Sequence, residues 1–315
     1  MEVEQVEFSK DMFQPLNGDE KQLKQIPRPT VTYWQDAWRR LKNNKVALIS
    51  LLVVIFITLM AIIVPMVSQY TYDKNNLQTT NLSPSAEHWF GTDALGRDLF
   101  VRTMYGARYS LIIGLVAAVI NLFIGVIYGG ISGYVGGRVD NIMMRIVDIL
   151  YAIPTTIYVI LLMTVMSKPG QAGSGLGSII LAISITYWLN MARIVRGEIL
   201  QLKSQEFVLA AKTLGASGKR IIFRHLVPNA MGSIMVTLTL LIPQAIFTEA
   251  FLSFIGLGVA APRASLGTLA NDGQTAIYTY PYQLFFPSLI ICLIILAFNL
   301  FGDGLSDALD PKKRK

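Results

Sequence analysis

Residues 46–67 run for 22 positions without one charged side chain. An α-helix needs about 20 apolar residues, rising ~1.5 Å each, to cross the hydrocarbon core of a bilayer. No water is present there to pair with backbone groups, so a stretch like this spans as a helix. Further apolar segments follow. The six spans expected are Val46–Val67, Tyr109–Ser132, Ile146–Met166, Ser178–Ile194, Met231–Ile255 and Leu284–Phe301. Pro65 closes the first, Pro154 is expected to kink the third, and Pro243 to break the fifth. With 53% hydrophobic and 15% charged residues and a mean hydropathy of +0.49, the chain is too apolar for a soluble domain of its length. The expected fold class is an all-α polytopic membrane protein with six transmembrane helices.

An even number of spans puts both ends on one side. Of the 27 lysines and arginines, 21 fall before the first span, after the second, around the polar segment 196–229 or in the tail. The remaining six are Lys74, Arg97, Arg102, Arg108, Lys168 and Arg263. Basic residues collect on cytoplasmic loops, so both termini and segment 196–229 are expected in the cytoplasm. The same distribution accounts for a net charge of +7 without a nucleic-acid partner. The organisation expected is a cytoplasmic tail over residues 1–45, the first span with an outer loop over 46–108, a core over 109–305 and a basic tail over 306–315. Residues 1–29 are polar, lack the apolar core of a signal peptide, and read as disordered or loosely docked. Thr32 and Gln35 have capping-box spacing, and Trp34, Trp38 and Leu41 are expected to share a face opposite Arg39 and Lys42. That pattern suits an interfacial helix and equally the wet start of the first span.

Segment 196–229, RGEILQLKSQEFVLAAKTLGASGKRIIFRHLVPN, is a long polar stretch between two spans. Residues 206–214 are good helix formers and stop at Gly215, a residue suited to a left-handed C-terminal position. Ser217 is placed to cap a second helix, to which Ile221, Ile222, Phe223 and Leu226 give apolar bulk and Lys219, Arg220, Arg224 and His225 give charge. Pro228 is expected just past its end. Two short helices around a glycine turn form a hairpin, and a hairpin projecting an apolar side beyond the membrane needs a surface to receive it.

At these residues the chain resembles the permease subunits of ABC importers, whose cytoplasmic loop carries E-A-A, three residues, Gly, nine residues, then I-x-L-P. Ala210, Ala211, Gly215 and Pro228 stand at that spacing. Leu209 replaces the family Glu, with Glu206 one turn earlier, while His225 and Val227 replace the Ile and Leu. The string A-A-x-x-L-G-A-S followed by I-I-F-R-H-L-x-P-N is similar to the form in peptide-type permeases. A second string resembles G-T-D-x-x-G-R-D, three residues, R, three residues, G-x-R of dipeptide, oligopeptide and nickel permeases, at Gly91, Thr92, Asp93, Gly96, Arg97, Asp98, Arg102, Gly106 and Arg108. Read physically, Thr92 or Asp93 is placed to cap a short helix and Asp98 to pair with Arg102 four residues on, an exposed pair worth about 0.3–0.5 kcal/mol. The resemblance implies a type I importer fold. It also implies a pore shared with a homologous permease subunit, two ATPase subunits carrying ATP and Mg, and an extracytoplasmic binding protein. Glu206, Ala210, Ala211, Gly215, Ala216, Ser217, Lys219, Arg220, Ile222, Phe223, Arg224, His225 and Pro228 would then form the coupling surface. The cargo stays open among dipeptides, longer peptides, a peptide signal and chelated nickel.

Other chemistry is sparse. Gly218-Lys219 resembles the tail of a phosphate loop, but Thr213 stands where its first glycine belongs and Arg220 where Ser or Thr is needed. His88 and His225 are expected on opposite sides of the membrane, too far apart for a metal site. Cys292 is the single cysteine, which excludes a disulfide within the chain. Asp148 and Glu249 are the acids within spans and fall near opposite ends, a poor hydrolytic pair, so no enzyme is read here. Glu249 lies about 10 Å from the outer end of the fifth span. It is expected either to face the translocation path or the partner permease, or to be satisfied by a structural hydrogen bond. An ion-coupled secondary transporter would carry paired intramembrane acids and inverted repeats. Gly125, Gly129, Gly133 and Gly137 recur every four residues and are expected to let a neighbouring helix approach closely.

Overall fold

The computed structural model describes residues 33–166, 176–259 and 261–309. By contacts the chain forms two units, residues 1–36 and 37–315. Of the first unit only residues 33–36, the opening turn of helix α1, are described. The N-terminal tail, Thr32, the glycines at 173 and 175 and the basic tail from Lys312 therefore lie outside the described residues.

Helix α1 (Tyr33–Asn43) precedes α2 (Lys45–Val67). Asn44 separates them and caps α2, its side chain accepting from the Ala47 amide at 3.2 Å. On α1, Leu41 is buried beside Ala47 and Ala308, whereas Trp34 and Trp38 are exposed. Lys42, expected opposite the tryptophans, sits 5.2 Å from the Trp38 ring centroid instead. Positions four apart share a helix side, so a cation one turn on reaches the ring.

A long loop leads to α3 (Leu99–Val135), then α4 (Gly137–Tyr151), α5 (Thr155–Met166) and α6 (Leu176–Leu202). Helix α3 has 37 residues and starts ten residues earlier than the span expected from hydropathy. Its first turns carry Arg102 and Arg108, which a hydropathy argument assigns to a loop. Helices α4 and α5 meet at an 80° bend before Pro154, so the expected kink is a full break. Proline cannot donate, and it disfavours helical backbone at the residue before it.

The glycines of α3 fix its partner. A Cβ on Gly125 would strike Met191, one on Gly129 the Ala192 carbonyl, and one on Gly133 would come within 2.9 Å of the Arg196 carbonyl. Successive turns of α3 thus meet successive turns of α6 in the same order. The two helices run parallel, and the chain between them must return to its starting end. That return is made by the bent pair α4–α5, which brings the candidate spans from five to six. Gly137 does not join this packing: no atom lies within 4 Å of where its Cβ would be. It follows Gly136 at the break between α3 and α4, where the helical register of the repeat is lost.

After α6 come α7 (Glu206–Thr213) and α8 (Gly218–Leu257), a helix of 40 residues. Contrary to expectation, α8 runs through Pro243 without a break; its irregular turns are π-type, at Ile222–Leu226 and Ser253–Leu257. Pro243 is buried among neighbouring helices, a setting in which a transmembrane helix tolerates the lost hydrogen bond. The only non-helical backbone in α8 is at Gly256, with φ +86°. Short helix α9 (Leu266–Gln274) and the last span, α10 (Tyr282–Leu309), complete the bundle. Its main core joins α2, α3, α5, α6, α8 and α10 through residues such as Ile113, Met163, Ile183, Met191, Ile234 and Ile246.

Gly129→Ala should force α3 off α6 and destabilise the protein by about 1–3 kcal/mol. Gly197→Ala, at a helical position where nothing lies within 4 Å of an added Cβ, should leave stability unchanged or raise it. Thermal unfolding of the two purified variants in detergent checks the contrast.

Candidate functional site

The connection between α6 and α8 is the expected hairpin, with its second arm built differently. The first arm is α7, capped by the Gly215 turn: Gly215 takes φ +78°, its amide donates to Lys212 O at 2.9 Å, and the Ala216 amide donates to Ala211 O at 3.0 Å. Ser217 then caps α8 through the Arg220 amide. The second arm does not stop at Pro228. It passes through the π turn at Ile222–Leu226 and continues as α8. An α turn here would drive the Pro228 ring against the Arg224 carbonyl. The wider turn, with the Val227 amide bonded to Ile222 O, leads the helix past it.

The two arms have an inward and an outward side. Val208, Ala211, Ile221, Ile222 and Leu226 are buried in the chain's own core. Two expected coupling residues, Ala211 and Ile222, therefore hold the hairpin in place and present no free surface, because the π turn rotates Ile222 toward α3. The base is tied further by Lys203, whose Nζ donates to Gly133 O at 2.7 Å, and by Gly218 packed on the Tyr134 ring. On the outward side Glu206, Ala210, Lys219, Arg220, Arg224 and Pro228 are exposed, His225 is half-buried, and Phe223 keeps 45% of its surface open. Ser217, Lys219, Arg220, Phe223, Arg224 and Pro228 line a shallow concavity of about 550 Å³. On the first arm Leu209 and Leu214 are 63% and 87% exposed. Neither is among the coupling residues expected from the sequence, where Leu209 stands in place of the family Glu; their signal is two leucines on a polar hairpin.

The second string folds at the opposite end of α3. Neither Thr92 nor Asp93 caps the helix; Asp98 does, accepting from the Val101 amide at 2.8 Å. The expected Asp98–Arg102 pair is absent, because Asp98 is occupied by that amide and by His88 Nδ1 at 2.8 Å. Helical side chains lean toward the N-terminus, and Arg102 reaches back past Asp98 to Asp93. Asp93 Oδ2 also accepts from Arg97 Nε at 2.7 Å, and Oδ1 accepts from the Leu95 and Arg97 amides. Burial pushes the Asp93 carboxyl up, but Arg102, Arg97 and these hydrogen bonds outweigh it and hold the group below the usual carboxylate range. The network is buried, unlike the exposed pair expected. Gly91, Gly96 and Gly106 leave no room for a Cβ against Leu82, Asn76 and Ser265, and the Thr92 carbonyl accepts from Gln283 Nε2 of α10 at 3.0 Å. Arg108 is exposed and lies outside the network.

Glu249 is fully buried within the chain. Its Oε2 accepts from Ser110 Oγ and its Oε1 from Ser253 Oγ, both at 2.7 Å, and Ser265 Oγ donates on to Ser253 at 3.1 Å. The alternative of a structural hydrogen bond is the one the structure takes: three serines satisfy the carboxyl and tie α3, α8 and the start of α9 together. Nearer the hairpin, Arg196 holds Asp140 at 2.6 Å and Arg193 holds Asp148 at 2.7 Å, joining α4 to α6.

A family profile described as "Binding-protein-dependent transport system inner membrane component" matches residues 122–315, and one described as "N-terminal TM domain of oligopeptide transport permease C" matches residues 32–84. The oligopeptide transport system permease protein OppC of Bacillus subtilis is 56% identical over 97% of this chain and 98% of its own length. The dipeptide transport system permease protein DppC of the same organism is 54% identical over 92% and 89%, and OppC of Escherichia coli K12 is 44% identical over 89% and 92%. Among solved structures, an inward-facing MetNI methionine ABC transporter superposes with a TM-score of 0.55 at 18% identity, covering 67% of this chain and 96% of that one. This last likeness shows the type I importer fold. The chain belongs to the inner-membrane permease components of binding-protein-dependent ABC transport systems, in the group that contains the OppC and DppC proteins.

Proposed function

We propose that this chain forms half of the translocation pore of an ATP-driven peptide importer and takes up the force of ATP binding and hydrolysis through the hairpin at 196–229. The other half is a homologous permease. Two ATPase subunits, which carry the ATP and Mg, receive the hairpin, and an extracytoplasmic binding protein delivers the peptide to the opposite end. Both termini and the hairpin face the cytoplasm, in keeping with the distribution of basic residues. The peptide cargo rests on the OppC and DppC relatives.

One observation carries the coupling role: Phe223 stands exposed in a basic concavity on an arm whose other side is buried in the chain's own core. Burying a side chain of that size on a partner is worth roughly 1.5–3 kcal/mol. The same arm is the start of α8, which reaches the far end of the bundle as one helix. A displacement of the hairpin is thereby carried along α8 to the turn at Gly256.

Phe223→Asp places a charge where the partner offers an apolar pocket. Membrane insertion and pairing with the second permease should be normal, while peptide uptake is lost and ATPase activity no longer responds to the loaded binding protein. Retained uptake, or loss only through failed insertion, contradicts the coupling role. Orientation is checked separately in a Cys292→Ala background. A Ser83→Cys reporter should react with an impermeant thiol reagent on intact cells and a Leu214→Cys reporter should not; the reverse labelling contradicts the assignment.

A further inference from the structure

At the end of the bundle opposite the hairpin, a cleft of about 360 Å³ lies between the start of α3, the Gly256 turn of α8 and helix α9. Arg97, Arg102 and Arg263 line it together with Thr268, Asn271 and Asp272. Arg102 is only 3% exposed, and its Nε has no hydrogen-bond partner. A buried guanidinium donor without an acceptor is costly, and Arg102 is otherwise well held through Nη1 by Asp93. Asp93 Oδ2 serves Arg97 and Arg102 at once, so one carboxylate faces two guanidiniums. Arg263, on the rim, adds a third cation, and Asp272 is the one other acid on the cleft wall. The lining therefore keeps an excess of positive charge suited to one incoming carboxylate. The planar fork of a guanidinium matches the two oxygens of that group. Thr268 and Asn271 add neutral donors and acceptors of the kind a peptide backbone needs. The volume suits the last one or two residues of a peptide rather than a folded domain.

We propose that this cleft is a cargo-terminus site, in which Arg102 and Arg263 bind the C-terminal carboxylate of a peptide as it enters the permease. The proposal rests on the peptide-import function above and adds to it a chemical class that the permease itself selects: peptides with a free C-terminal carboxylate. Occupancy sets the peptide end beside Arg102 and Arg263, against the Gly256 turn.

The test uses the complete importer in proteoliposomes with its binding protein, and compares uptake of one peptide as the free acid and as the C-terminal amide. Each uptake is normalised to the peptide's measured occupancy of the binding protein. Wild type should favour the free acid, and Arg263→Gln should reduce that preference about tenfold, the loss expected for a charge-assisted hydrogen bond. Because Arg263 is on the exposed rim, its replacement leaves assembly intact. Arg102→Lys, which keeps the charge beside Asp93 and removes the fork, should reduce the preference in the same direction. Two results overturn the proposal. One is equal normalised uptake of acid and amide by wild type. The other is a parallel fall in both for Arg263→Gln, which would place the cleft in binding-protein docking. Absence of uptake of either peptide by wild type would instead contradict the peptide-import function on which the site rests.

Discussion

Close contact between α3 and α6 is the interaction on which the rest of this structure depends. In hydrocarbon, lipid tails are as apolar as leucine, so helices associate where small residues let backbones approach. Gly125, Gly129 and Gly133 provide that approach along three consecutive turns. Because the partner turns follow in the same order, the two helices are parallel, and the connection between them must cross back. The bend before Pro154 and the ion pairs from Arg193 and Arg196 to α4 are consequences of that return path. The hairpin follows as well, since its base packs on Tyr134, at the end of the glycine stripe.

Several charged groups in and around the bundle serve as ties between elements. Glu249 is held by serines from three segments, so a carboxyl deep in an apolar helix serves as a tie between elements. At the loop end, Asp93 gathers Arg97 and Arg102 and closes the long loop onto the start of α3. Gln283 of α10 donates to the Thr92 carbonyl and to Asn81 Oδ1, which joins the last span to the same loop. The hairpin end is organised in the opposite sense. Its inner side is buried and its outer side leaves Leu209, Leu214 and Phe223 uncovered. An exposed apolar surface of this kind is the one that the function proposed above assigns to a partner.

Much of this was legible in the amino-acid sequence, for identifiable reasons. Span count follows from hydropathy, the Gly215 turn from the special backbone that glycine permits, the Ser217 cap from its side-chain oxygen, and the glycine stripe from its four-residue period. The misreadings share one cause, the use of local rules where tertiary contacts decide. The start of α3 was hidden because Arg102 is charged, yet Asp93, nine residues away, makes its burial acceptable. Asp98 and Arg102 have ideal spacing for a pair, but capping and His88 claim the carboxylate first. Pro228 looks like a terminator, and only a π turn, which has no simple sequence signature, takes the helix past it. Ile222 and Phe223 are adjacent apolar residues of opposite fate, and their sides are set by that same turn.

On the function proposed above, the exposed side of the hairpin is the surface through which the ATPase subunits act on this chain. The most direct measurement of this is photo-crosslinking in the assembled importer, with a photoreactive phenylalanine analogue at Leu214, outside the concavity proper, and for comparison at Ser83 on the long loop. The account predicts an adduct with an ATPase subunit from position 214 and none from position 83. An adduct with the binding protein from position 214, or with an ATPase subunit from position 83, would contradict it.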